Sequence, residues 1–327
     1  MGARARYGFV VAAVLVAVLP LLLSNGYYQS VLVFIGINAI VALGLNLLMG
    51  YAGQISLGHA AFHAMGAYAS GILTATYHVN PWLAMACSVV FASAVALVVG
   101  VPTLKLSGHY LAIATLGVGM IVSIVLVQWV SLTGGTSGLT DIPTLSVAGF
   151  PLNSDLRYYY LVWGVCLLLT LLSINLVNSR FGRALRAIHV SEVAAATCGV
   201  NVARLKLQVF VLSAAYAGLA GSLYAHYVHF ISPERRFGFP FSIEAVVMVV
   251  LGGLGNIWGS LLGSGTVTAL GEFLRQFGDY DVAAFGLILM LAMIFLPQGI
   301  SGGLARITLR RRPAPTPAAP PQEVAHR

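Results

Sequence analysis

His59 and His63 lie four residues apart and His226 and His229 three apart, spacings that can put two imidazoles on one helix face as metal ligands. Neither pair has a nearby Asp, Glu or Cys to complete a site, and no HExxH occurs, so both are read as packing or interfacial histidines and no metal is expected. The chain has two lysines, Lys105 and Lys206, and neither follows a phosphate-cradling glycine loop. It has no nucleotide site of its own. Every Asp and Glu falls at a loop, a tail or a helix end, Glu244 and Glu272 being the deepest, whereas an ion-coupled carrier usually keeps an ionisable group at mid-membrane. Carbonyls of broken helices can also hold ions, which leaves that class as an alternative. A membrane enzyme would need a converging acid, base or metal constellation, and the histidine pairs are the only material for one.

The elements that must position these residues are set by composition. Of 327 residues, 59% are hydrophobic and 8% charged, and mean hydropathy is +0.91, the profile of an all-α, polytopic transmembrane bundle. The 36 glycines suit closely packed membrane helices and broken or re-entrant segments. Cys87, Cys166 and Cys198 fall in or beside apolar runs without metal or redox spacing and are read as small buried hydrophobes. The charge of +8 is scattered over loops and ends with no aromatic interleaving, which speaks against nucleic acid and fits a membrane-lipid setting.

About 20 apolar residues cross a bilayer. Cutting at polar and Gly/Pro punctuation gives candidate spans near 8–24, 29–49, 59–77, 81–104, 109–131, 158–179, 206–227, 241–256, 259–276 and 282–297. The eighth and ninth are short enough to be half-helices or one re-entrant hairpin, so 8–10 spans are expected. Arg4, Arg6 and the run after them imitate a signal peptide without a clean cleavage site before Asn25, and are kept as the first span. An N-terminus in the cytoplasm leaves only Arg157, Arg235, Arg236 and Arg275 of the 17 basic residues outside, which places both termini inside. Residues 1–305 form the membrane domain, and the Pro/Ala-rich stretch 306–327 is expected to be a disordered cytoplasmic tail.

Two stretches interrupt this pattern. In 44–68, Asn46, Gly50, Gln54, Ser56, Gly58 and His59 put polar groups and glycines at membrane depth, where irregular backbone must be buried in protein or line a cavity. Gly253, Gly255 and Asn256 mark a turn or broken helix in the second half, and the Gly53-Gln54-Ile55 and Gly255-Asn256-Ile257 triplets hint at an internal repeat. Pathway lining and close helix packing are both open for these residues. Ser242 and Glu244 read as the N-cap and first-turn acid of the eighth helix.

The central loop 180–206 carries Arg180, Arg183, Arg186, Arg204 and Lys206 against one acid, Glu192. Ser191 as N-cap, Glu192 in the first turn, an Ala-rich body with Ala194 and Ala195, and Gly199 as terminator describe a short capped helix. A basic loop that merely fixes orientation is the plainer alternative.

Glu192, Ala194, Ala195 and Gly199 resemble the EAA-type coupling loop of ABC importer permeases. NLLMGYAGQISLGHAAF resembles the signature of LivM-type permeases of branched-chain amino acid importers, and TGGTSGLT at 133–140, ISPE at 231–234, SIE at 242–244 and LGGLGNIWG at 251–259 follow in that family's order. The resemblance runs over about 30–303. It implies a transport subunit rather than an enzyme, in the bacterial inner membrane, paired with a second LivH-like permease, two cytoplasmic ATP-binding subunits that hold ATP and magnesium, and a soluble or lipid-anchored substrate-binding protein. The chain itself would hold no cofactor. Arg183, Arg186, Ser191, Glu192, Ala194, Ala195 and Gly199 would meet the ATPase, and Thr136, Gly138 and Thr140 would lie toward the binding protein. Leucine, isoleucine and valine are the expected cargo, with urea and short amides as the alternative and an ion-coupled carrier or channel behind them.

Overall fold

The computed structural model describes residues 3–22, 25–147, 150–275, 281–295 and 299–303. The predicted tail, 306–327, lies outside them. Apolar helices stand at all ten predicted spans: α1 (Ala3–Leu22), α2 (Gly26–Asn46), α3 (His59–Ala75), α4 (Pro81–Thr103), α5 (His109–Gln128), then, past the short α6 (Val130–Thr133), α7 (Asp155–Asn178). The central loop folds into α8 (Arg180–Val190) and α9 (Glu192–Thr197). The second half holds α10 (Val202–Val228), a single turn α11 (Pro233–Arg236), α12 (Phe239–Gly252), α13 (Ile257–Leu274) and α14 (Asp281–Phe295). α2 with its C-terminal turn, α4, α5, α7 and α10 are long and apolar enough to cross a bilayer by themselves. α12, at 14 residues, spans only about 21 Å, less than the roughly 30 Å of a hydrocarbon core. A two-residue antiparallel pair, Ser146–Val147 with Phe150–Pro151, is a small exception to the all-helical expectation.

Asparagines begin several helices. Asn25, Asn80, Asn201 and Asn256 each accept a backbone N–H from the first turn that follows, at 3.0–3.1 Å.

α2 is the axis of the core. Every residue from Ile35 to Asn46 is buried, against α7, α10, α12 and α13. With so little side-chain volume at the contacts, backbones come together: a Cβ at Gly66 of α3 would strike the Gly218 carbonyl of α10, and one at Gly221 would strike the carbonyl of His63. The small-residue face predicted at Ala217, Gly218, Ala220 and Gly221 is buried there.

Cys166 is buried as expected, but Cys87 and Cys198 are exposed. Cys87 sits on an outward face of α4 and Cys198 follows α9, positions that apolar neighbours in the sequence do not reveal.

Candidate functional site

α2 does not end in a cap. At Asn46 it loosens into one π turn, Leu47–Tyr51, and the chain then runs irregularly from 52 to 58 before α3 begins. Buried irregular backbone must find its hydrogen bonds locally or from neighbours. The Gly53 and Gln54 N–H groups return to the Met49 and Leu48 carbonyls at 3.2 and 3.1 Å, with Gly53 at φ +68°. The Leu57 N–H donates to Thr115 Oγ1 of α5 (3.0 Å) and the Ala60 N–H to Ser242 Oγ of α12 (3.0 Å). Two other helices therefore cap α3. This corrects the sequence reading of Ser242: α12 begins earlier, at Phe239, so Ser242 and Glu244 lie inside it and Ser242 serves α3. Gly58 is small because its Cα faces the Thr115 carbonyl.

The second interruption, 253–256, separates α12 from α13, with Gly253 and Gly255 at φ +116° and +71°. Asn46 joins it to the first. Its Nδ2 donates to the Asn256 carbonyl and to Ser260 Oγ, both at 2.8 Å, and its Oδ1 accepts the Gly255 N–H at 3.0 Å. Any Cβ at Gly50 would occupy the space of Asn46 Oδ1 and the Gly255 nitrogen. Asn46, Gly50, Gly255 and Asn256 thus form one joint.

Ser56 and His59 form a second joint. The imidazole of His59 is buried between Ser56 Oγ, 3.1 Å from Nδ1, and Ser213 Oγ of α10, 2.6 Å from Nε2. A groove of about 190 Å³ opens beside the start of α3, lined by Leu57, Ala60, Gly119, Ser123, Gly238 and Ser242 among others. None of the pathway residues named from sequence lines it; Asn46, Gly50, Ser56, His59, Gly255 and Asn256 lie in the joints behind it.

Gln54 links this region to the central loop. In that loop, Ser191 Oγ accepts the Ala194 N–H at 3.2 Å and Gly199 ends α9 at φ +80°, as the sequence pattern requires. α9 is anchored by Ala195 and turns Val193, Ala194, Ala196 and Thr197 outward. Glu192 forms an ion pair with Lys206, whose side chain is 4% exposed, and its Oε1 also accepts from Gln54 Nε2 at 3.5 Å. α8, which the sequence reading left as loop, is amphipathic and buries Gly182, Leu185 and Ile188. Arg183 and Arg186 donate to the Asn178 and Val177 carbonyls at 3.3 and 3.1 Å, so both complete the C-terminus of α7.

The chain matches the model of the branched-chain amino acid transport system permease component family over residues 27–297. The chain belongs to that family. It is 34% identical over 316 residues to the high-affinity branched-chain amino acid transport system permease protein LivM of Escherichia coli, covering 89% of this chain and 74% of that protein. It is 29% identical to LivH of Salmonella typhimurium and 30% identical to BraD of Pseudomonas aeruginosa, in each case over 81% of this chain and 91% of the relative. No solved structure matches it. As a family member it is a multi-pass transport permease and not an enzyme.

At the end of the permease opposite α9, the segment from 134 to 146 packs on the end of α10. Leu139 and Ile231 exchange backbone hydrogen bonds at 2.8 and 3.0 Å, and Gly138 is pressed against the Ile231 carbonyl. Thr136 and Thr140 are exposed there, Thr140 donating to Asp141. His226 sits 2.8 Å from both the Pro143 carbonyl and Ser70 Oγ, and His229 2.9 Å from the Ile142 carbonyl. Both tie the loop down, and among the described residues no group of three or more potential metal ligands forms. Arg236, read from sequence only as an outer-loop charge, folds inward. Its guanidinium lies 5.3–5.4 Å from the ring centres of Phe34, Tyr224 and Phe241 and donates to Asn38 Oδ1 at 3.1 Å. Sequence spacing carries no signal for that box, because its walls come from three separate helices.

Proposed function

We propose that this permease is the LivM-like half of an ABC importer that moves branched-chain amino acids across the bacterial inner membrane. It pairs with a second, LivH-like permease, and the pathway runs between them. Two cytoplasmic subunits bind and hydrolyse ATP with magnesium, and a binding protein delivers cargo on the other side. The relatives' names supply the cargo class.

The observation that carries this reading is α9. It is capped at both ends, presents Val193 at 76% exposure, and is joined through Glu192 to the interrupted segment. Val190 is exposed as well, at 87%, and with Ala194 and Ala196 the two valines make an apolar patch on a basic, polar loop, which suits a helix that seats in a groove on a partner. With the basic loop inside, α9 faces the cytoplasm and Thr136 and Thr140 face the binding protein. ATP-driven movement of the ATPases would then displace α9 and flex the interruptions.

The test is to purify the tagged chain from its native host in mild detergent and to cross-link Val193→Cys, in a Cys198→Ser background, to whatever co-purifies. Cross-linking to an ATP-binding subunit, in a preparation that hydrolyses ATP and contains a second permease, is expected. A chain that isolates alone and transports leucine after reconstitution without ATP would overturn the reading.

A further inference from the structure

Lys206 is the feature that the family reading leaves unused. It lies in the first turns of α10, 3% exposed, on a chain that has one other lysine. A buried ammonium is tolerated only with a partner, and its partner is Glu192, the first-turn acid of α9, whose own side chain is 41% exposed. The same carboxylate oxygen accepts from Gln54, whose amide nitrogen also donates to the Ala52 carbonyl at 3.2 Å. Gln54 Oε1 is buried with no hydrogen-bond partner. Its neighbour Gly53 packs against the ring and Cα of His189 in α8. One carboxylate therefore touches the loop helix, the membrane helix α10 and the interrupted segment at once.

We infer that Lys206 and Gln54 are positioning residues that carry displacement of α9 into the interruption at 52–58, with the Glu192 carboxylate as the shared joint. This rests on the reading of α9 as the ATPase-docking helix and adds the route inward from it. The physical reason is an asymmetry of burial. Lys206 cannot follow Glu192 into water without moving α10, and it cannot stay behind without losing the one ion-pair partner it has among the described residues. Movement of α9 must therefore pull α10 or break the pair. Gln54 passes the same choice to the irregular backbone, which is softer than a helix because its hydrogen bonds are few. From Gln54 the path continues through the π turn to Asn46 and so to 253–256.

The experiment uses the complete importer reconstituted in vesicles, reading leucine uptake per ATP hydrolysed, with Lys206→Met, Lys206→Arg and Gln54→Leu, each also carrying the Val193→Cys cross-linking probe. Lys206→Met is expected to lower uptake per ATP by about two- to thirtyfold, the range that mutations within a coupling network produce. ATP hydrolysis and the cross-link should persist, Lys206→Arg should restore most of the ratio, and Gln54→Leu should fall between. Should Lys206→Met fail to assemble, Gln54→Leu decides, since it removes no charge. An unchanged ratio with the cross-link intact refutes the relay and leaves the docking helix standing. Absence of the cross-link in the probe background without the other substitutions would instead remove the reading beneath it.

Discussion

The side-chain oxygen of Asn46 accepts the backbone N–H of Gly255 at 3.0 Å, across 209 residues of sequence, and so fastens one chain interruption to the other. The same amide donates to the Asn256 carbonyl and to Ser260. Replacing Asn46 by Leu would leave the half-buried Gly255 N–H and Asn256 carbonyl and the buried Ser260 hydroxyl without this partner, at up to about 1–3 kcal/mol each. A lower midpoint of thermal unfolding in detergent and a loss of uptake are expected. Asn46→Asp should melt no higher than Asn46→Leu, because an ionised carboxylate there is a buried unpaired charge that faces the Asn256 carbonyl.

Glycines at helix contacts should tolerate nothing larger. Gly221→Val would drive a side chain into the His63 carbonyl, between α10 and α3, and should abolish the yield of folded permease. Gly164 of α7 has open space where a Cβ would go, so Gly164→Ala should change stability by no more than about 1 kcal/mol, in the stabilising direction set by helix propensity. Equal yields for the two variants would contradict the packing described.

Gly199 separates conformation from contact. Nothing lies within 4 Å of its missing Cβ, yet φ is +80°, so Gly199→Ala meets no clash and still strains the backbone by about 1–2 kcal/mol. Fraying of α9 without unfolding of the membrane domain should follow, seen as lower uptake per ATP with a normal yield. Gly199→Asn, which visits the left-handed region more easily, should retain more coupling.

Arg236 should resist even its conservative replacement. Lys keeps the charge but not the planar face that lies against Phe34, Tyr224 and Phe241, nor the reach of the fork to Asn38. A destabilisation of about 1–2 kcal/mol is expected for Arg236→Lys in the thermal melt. The observation against this would be a melt unchanged from wild type.

The sequence by itself determined where the chain can sit in a bilayer, because uninterrupted apolar runs leave the backbone no choice but to bond within helices. It also determined the capped helix after Ser191, since cap, acid and glycine act within one or two turns of each other and need no distant partner. It exposed the two interruptions as glycine and amide clusters at membrane depth. What it could not contain was which groups satisfy them. Ser242 read as the cap of its own helix and instead caps α3. Arg183 and Arg186 read as docking charges, and they also hold the end of α7 while staying exposed. Lys206 read as one more loop cation and instead lies buried against Glu192. Ser242 reaches Ala60 across 182 residues, whereas Arg183 and Arg186 reach back 5 and 9 residues and Lys206 meets Glu192 only once α8, α9 and α10 fold against one another; local propensity carries no term for such pairs. The packing of the helices on one another brought those groups within hydrogen-bonding distance and so decided which residues join elements and which are surface.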